Sequence, residues 1–87
     1  MTLDILDEAS LSLIQVDLQG EIYEGISYHG NRYCLIEAFD LSHQLKAYCM
    51  AQCFTEQGLG YVMTASSLRF AIWVEVDAYL MTQRQLL

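Results

Sequence analysis

Leu41-Ser-His-Gln-Leu-Lys-Ala-Tyr-Cys-Met-Ala-Gln-Cys-Phe-Thr-Glu-Gln-Gly58 is the stretch whose reading decides the fold. It holds no proline, and its only glycine closes it. Asp40 or Ser42 can accept from the free amides of a first helical turn, and Gly58 sits where a left-handed glycine ends a helix. The sequence therefore predicts a helix over 41–58. Around its circumference Ala47, Tyr48, Cys49, Met50, Ala51, Cys53 and Phe54 form a nearly continuous apolar girth, interrupted by Lys46 and Gln52. A helix apolar nearly all round is expected to be covered on more than one side.

Upstream, the period changes from 3.6 to 2. In Ser12–Leu18, Ile14, Val16 and Leu18 alternate with Gln15 and Asp17, the pattern of a half-buried strand. Gln19-Gly20 supplies a turn. Glu21–Tyr28 continues as a second strand, in which Gly25 signals a bulge or a close backbone approach. His29-Gly30-Asn31 is a hairpin turn, because glycine and asparagine tolerate positive φ, and Arg32–Phe39 is the returning strand. Downstream of the helix, Tyr61–Thr64 reads as a short strand and Leu68–Val76 as a longer one. In the latter, Phe70, Ile72, Val74 and Val76 alternate with Arg69, Ala71, Trp73 and Glu75. Asp77 can cap a terminal helix over Ala78 to about Leu86. Residues 1–10 read as a loose arm or one helical turn, with the loose arm preferred. The expected fold is one small α+β domain over 1–87. Its antiparallel sheet has about five strands in the order β-β-β-α-β-β, with the main helix packed on one face.

Composition bounds function. A chain of 87 residues buries only about 60–65% of the surface it exposes when unfolded. Its apolar fraction is 54% and its charged fraction only 17%, against about 45–50% and 25% in ordinary domains. A small domain needs more charged surface, not less, so part of the apolar surplus is expected outside, beneath a partner. Four basic residues, Arg32, Lys46, Arg69 and Arg84, stand against eleven acids, giving net charge −7. That balance argues against nucleic acid and anionic membrane surfaces as partners. It suits a basic protein or plain solubility. The N-terminus carries acids where a signal peptide has bases, and no apolar run reaches the ~20 residues of a membrane span. Three cysteines without a secretory context read as reduced thiols of a cytoplasmic protein.

Candidate chemistry is sparse. Cys49 and Cys53 share a helix face at i, i+4, but His43 points elsewhere, and a metal needs further ligands at suitable spacing. No catalytic signature surrounds Cys34. Glu24 and Glu37 each break an apolar strand face, and a hairpin through Gly30 would bring them near one another, where repulsion raises a carboxyl pKa. The glycines Gly58 and Gly60 lack the third glycine and following helix of a phosphate loop. The aromatic residues instead suit a protein interface. Trp73, Tyr23, Tyr48, Met50 and Phe54 are the expected interface residues. No catalytic, cofactor-binding or metal-binding residues are expected. The sequence thus favours a non-enzymatic interaction, regulatory or adaptor domain, acting as a homodimer. The competing class is a small-molecule-binding or catalytic domain using Cys34, Cys49, Cys53, Glu24 and Glu37.

Overall fold

The computed structural model describes residues 5–77, and the expected helix over 78–86 and residues 1–4 of the expected arm lie outside that range. The protein is α+β, with one main helix and a six-stranded mixed sheet. The strands are β1 (Ile5–Asp7), β2 (Ser12–Leu18), β3 (Glu21–Tyr28), β4 (Asn31–Asp40), β5 (Tyr61–Ala65) and β6 (Arg69–Glu75), and the helix is α1 (Gln44–Gln57). The strand order across the sheet is β1-β5-β6-β4-β3-β2.

The meander β2-β3-β4 forms for local reasons. Its loops, Gln19-Gly20 and His29-Gly30, have two residues each, and all four residues have positive φ. Such turns match the right-handed twist of the strands they join. The glycines do this without strain, while Gln19 and His29 take the left-handed conformation against their side chains. Asp17 supports the first turn by accepting from the Gly20 amide at 3.1 Å. Gly25 is a close approach rather than a bulge. A Cβ there would lie 2.5 Å from Val16 Cγ2 and 2.8 Å from the Tyr33 carbonyl oxygen.

The bulge lies one strand later. Leu35 pairs with Trp73 and Glu37 with Ile72, so Ile36 is an extra residue in β4. From Glu37 onwards, the bulge exchanges which residues of β4 face which side.

Two differences from the antiparallel five-stranded expectation have physical causes. First, residues 5–7 are a strand, parallel to β5, with Ile5, Leu6 and Asp7 opposite Met63, Thr64 and Ala65. A three-residue strand has no periodicity of its own, and long-range pairing defines it. Second, β1 and β2 lie at opposite edges of the sheet, yet only Glu8–Leu11 connects them. Six flat strands would hold their edge strands about 24 Å apart, whereas the five chain steps from Asp7 to Ser12 reach about 18 Å. The sheet must therefore twist and curl, and the connection must cross one of its faces. It does so as a 3-10 turn, Glu8–Ser10, whose entry residue Asp7 accepts from the Ala9 amide.

The helix packs on the other face. Ala47 and Ala51 are fully buried against Met63 and Ile72, flanked by Phe39, Phe70, Tyr61, Tyr48, Met50 and Phe54. Small residues at 47 and 51 let the helix axis approach the sheet closely. Asp40 opens the segment: its carboxylate accepts from both the amide and the hydroxyl of Ser42. This forms a 3-10 turn over Leu41–His43 before α1 proper. Gly58, at φ 73°, closes the helix, with Leu59 N–H bonded to the Phe54 carbonyl and Gly58 N–H to that of Thr55. These are the two bonds of the Schellman arrangement.

Gly25→Ala is expected to lower stability by about 1–3 kcal/mol through overpacking against Val16 and the Tyr33 carbonyl. Gly30→Ala meets open space and pays only the positive-φ cost of about 1–2 kcal/mol. Thermal unfolding of both variants, combined with a Val16→Ala background that should relieve the first and not the second, tests this assignment.

Candidate functional site

Two regions carry the unusual side chains, one on each side of the sheet. On the face opposite α1, the crossing segment is tied down by a polar chain. Trp73 Nε1 donates to Thr64 Oγ1 at 2.9 Å. The Thr64 hydroxyl donates in turn to Glu8 Oε1 at 3.3 Å. The Glu8 carboxylate also accepts from Arg69 Nε at 3.2 Å and Nη2 at 3.4 Å. Arg69 reaches on to Glu24 at 3.6 Å, and its guanidinium carbon lies 5.8 Å from the centre of the Trp73 ring. Around this chain pack Ile26, Tyr33, Val62 and Ala71, with Leu6 and Leu11 from either end of the crossing.

Alternation explains the assembly. Arg69, Ala71 and Trp73 of β6 share a face with Val62 and Thr64 of β5, because paired residues of adjacent strands point the same way. Trp73 and Thr64 are both fully buried. A buried indole N–H and a buried hydroxyl each need a partner, and every buried side-chain nitrogen or oxygen among the described residues has one. Glu8 holds its oxygens towards Thr64 and Arg69, so it serves as an anchor for the crossing. The half-buried pair Glu8–Arg69 works harder than the exposed contact of Arg69 with Glu24.

This placement changes the role of Trp73. Its surface is wholly used inside the chain, and truncation to alanine carries a cavity cost of about 3–5 kcal/mol. Trp73→Ala therefore reads stability rather than partner binding. The other aromatic and methionine candidates also turn inward. Tyr48, Met50 and Phe54 pack against the helix-facing core. Tyr23 packs beside Val16, Leu18, Cys34 and Val76, and its hydroxyl donates to Glu21 at 2.7 Å.

Glu24 and Glu37 are not brought together. Glu24 lies on the Trp73 face, where it meets Arg69. The bulge at Ile36 sets Glu37 in register with Ile72, on the helix side of the sheet. The cysteines are likewise separated by environment. Cys34 is buried, whereas Cys49 and Cys53 are exposed on α1, and all three are free thiols. Burial pushes the Cys34 thiol above its ordinary pKa. Among the described residues no group of three His, Cys, Asp or Glu side chains is placed to hold a metal. A polar cleft of about 190 Å³, lined by Gly30, Asn31, Arg32, Glu75, Val76 and Asp77, lies at the hairpin end of the sheet.

The second region is the outer side of α1. Leu45 is 75% exposed, beside the exposed Cys49 and Cys53. Among the described residues, the helix is covered on one side, by the sheet. The described residues include no helix long and apolar enough to cross a membrane. No family model matches this chain, and neither a curated protein nor a solved structure matches it.

A double-mutant cycle of Glu8→Gln and Arg69→Met in chemical denaturation is expected to give a coupling of about 1 kcal/mol. Additive effects would mean that the crossing is held by its apolar contacts alone. Thiol chemistry gives a second check. In the folded monomer Cys49 and Cys53 should react readily with a disulfide reagent, and Cys34 only on unfolding. The raised pKa of Cys34 means that the unfolded chain releases this proton first. Its contribution to stability is complete below about pH 8.5 and falls as pH rises from there through the folded-state pKa. Cys34→Ala should remove that part of the alkaline loss, read from denaturation midpoints on either side of pH 8.5.

Proposed function

We propose that this protein is a non-enzymatic protein–protein interaction module, of regulatory or adaptor type, that works as a homodimer. The observation that carries the reading is the outer side of α1. A helix of fourteen residues, fixed to the sheet by Ala47 and Ala51, presents Leu45, Cys49 and Cys53 to solvent. An exposed leucine alone needs no explanation. Three apolar side chains in line on one helix, in a chain already poor in charge, make a surface suited to burial against protein.

Electrostatics supports the same surface. The exposed acids Asp17, Glu21 and Glu24 crowd the β2–β3 side of the sheet, where two copies of a −7 chain repel. The outer side of α1 carries Lys46 and Glu56 and is locally neutral. Self-association meets the least repulsion there. The acidic β2–β3 side remains suited to a basic partner protein.

Light scattering and sedimentation across micromolar concentrations are expected to report a dimer. Leu45→Glu should shift the protein to monomer while leaving the monomer's own stability within about 0.5 kcal/mol, because position 45 is exposed. A wild-type protein that stays monomeric throughout would remove the homodimer reading.

A further inference from the structure

Resting on that reading, we infer that two copies associate through an antiparallel pairing of α1 helices about a two-fold axis near Ala51. This pairing sets Cys49 of each copy against Cys53 of the other. The argument starts from spacing. Lys46, Cys49, Cys53 and Glu56 are exposed and follow one another at intervals of 3, 4 and 3 residues, which keeps them in one stripe along a helix. The intervals are the same read from either end, and the stripe is centred on position 51. A two-fold axis through that centre returns the stripe onto itself with its direction reversed. Small thiols meet in the middle, and opposite charges meet at both ends.

Charge selects this occupant and this direction. Lys46 and Glu56 have no ion-pair partner among the described residues. The antiparallel arrangement offers each of them the other from the second copy, twice per dimer. A parallel arrangement would place Lys46 against Lys46 and Glu56 against Glu56. The ten residue steps from Lys46 to Glu56 correspond to about 15 Å of helix, long enough for the charged ends to stay wet while the thiols and Leu45 lose water. The small Cys49 and Cys53 side chains let the two helix axes approach closely, much as Ala47 and Ala51 do on the inner side. Within the dimer, Cys49 and Cys53 of opposite copies stand at the same level along the helices. Cys49 and Cys49 stand about 6 Å apart along the axis, beyond the Cβ separation of about 3.8 Å that a disulfide prefers.

The test uses the full chain and the single variants Cys49→Ser and Cys53→Ser. Diamide is the oxidant: two thiols give up two protons and two electrons as the S–S bond forms, and diamide takes them up to become its hydrazine. Cys34 is buried and stays out of the reaction. An equal mixture of the two variants is expected to form covalent dimer at least tenfold faster than either variant alone, since only the mixed pair holds a matched Cys49–Cys53 contact. Peptide mapping should locate the bridge there. The charges give an independent readout: Lys46→Glu should weaken dimerisation about tenfold through two repulsive pairs, and adding Glu56→Lys should restore it. Equal rates for the mixture and the single variants in a protein that dimerises would overturn the antiparallel register and leave the homodimer intact. So would a double charge reversal that stays as weak as the single one. A protein that remains monomeric in sedimentation overturns both.

Discussion

Everything in this fold depends on a short chain segment having to cross from one edge of the sheet to the other. Glu8–Leu11 links β1 to β2, and the reach of those residues is less than the width of a flat six-stranded sheet. Curling the sheet solves the distance but brings the segment over the Trp73 face, where its polar groups must be satisfied. Glu8 meets that need. Its carboxylate joins Arg69 and the Thr64 hydroxyl, while Leu6 and Leu11 pack against the core cluster that holds Trp73. The same contacts cover Trp73, so the crossing and the core it shields form one unit.

A sheet covered on one face by this crossing needs only one helix for the other. Among the described residues, the sheet accordingly covers one side of α1 and leaves the other exposed. Its inner side is reduced to Ala47 and Ala51 at the closest approach, with larger side chains spread to either flank. The residues that made the helix look buried all round divide into two sets. Tyr48, Met50 and Phe54 belong to the core, and Leu45, Cys49 and Cys53 belong to the surface.

The local elements were readable because their causes are local. Alternation placed β2, β3 and β6 within a residue of their observed bounds, and Gly30 and Gly58 marked a hairpin and a helix end where positive φ is required. What escaped has non-local causes. β1 exists only because residues 63–65 lie beside it. The bulge at Ile36 turns Glu37 away from Glu24, and nothing in the alternation of Arg32–Phe39 announces it. Trp73 was assigned to the right face of its strand, but that face looked polar from Arg69 and Glu75. Only the contact of Arg69 with Glu8, 61 residues away in sequence, makes it an interior. Glu8 itself left no signal beyond being one acid in an acidic N-terminus.

The sheet's edges sharpen the case for the helix as the meeting surface. Among the described residues, β2 has no strand on its outer side, and an open edge is ordinarily the first place two identical chains join. Here that edge is guarded: Asp17 lies on β2 itself, with Glu21 and Glu24 on the neighbouring strand, all exposed. Two copies docking edge to edge would bring these carboxylates together, a cost that rises as the pair loses water. Among the described residues β1 offers three residues, few backbone bonds for holding a partner by strand addition. The distribution of acids therefore disfavours self-pairing through the β2 edge. This supports the proposed pairing through the outer side of α1, where Lys46 and Glu56 balance each other and the side chains between them are small.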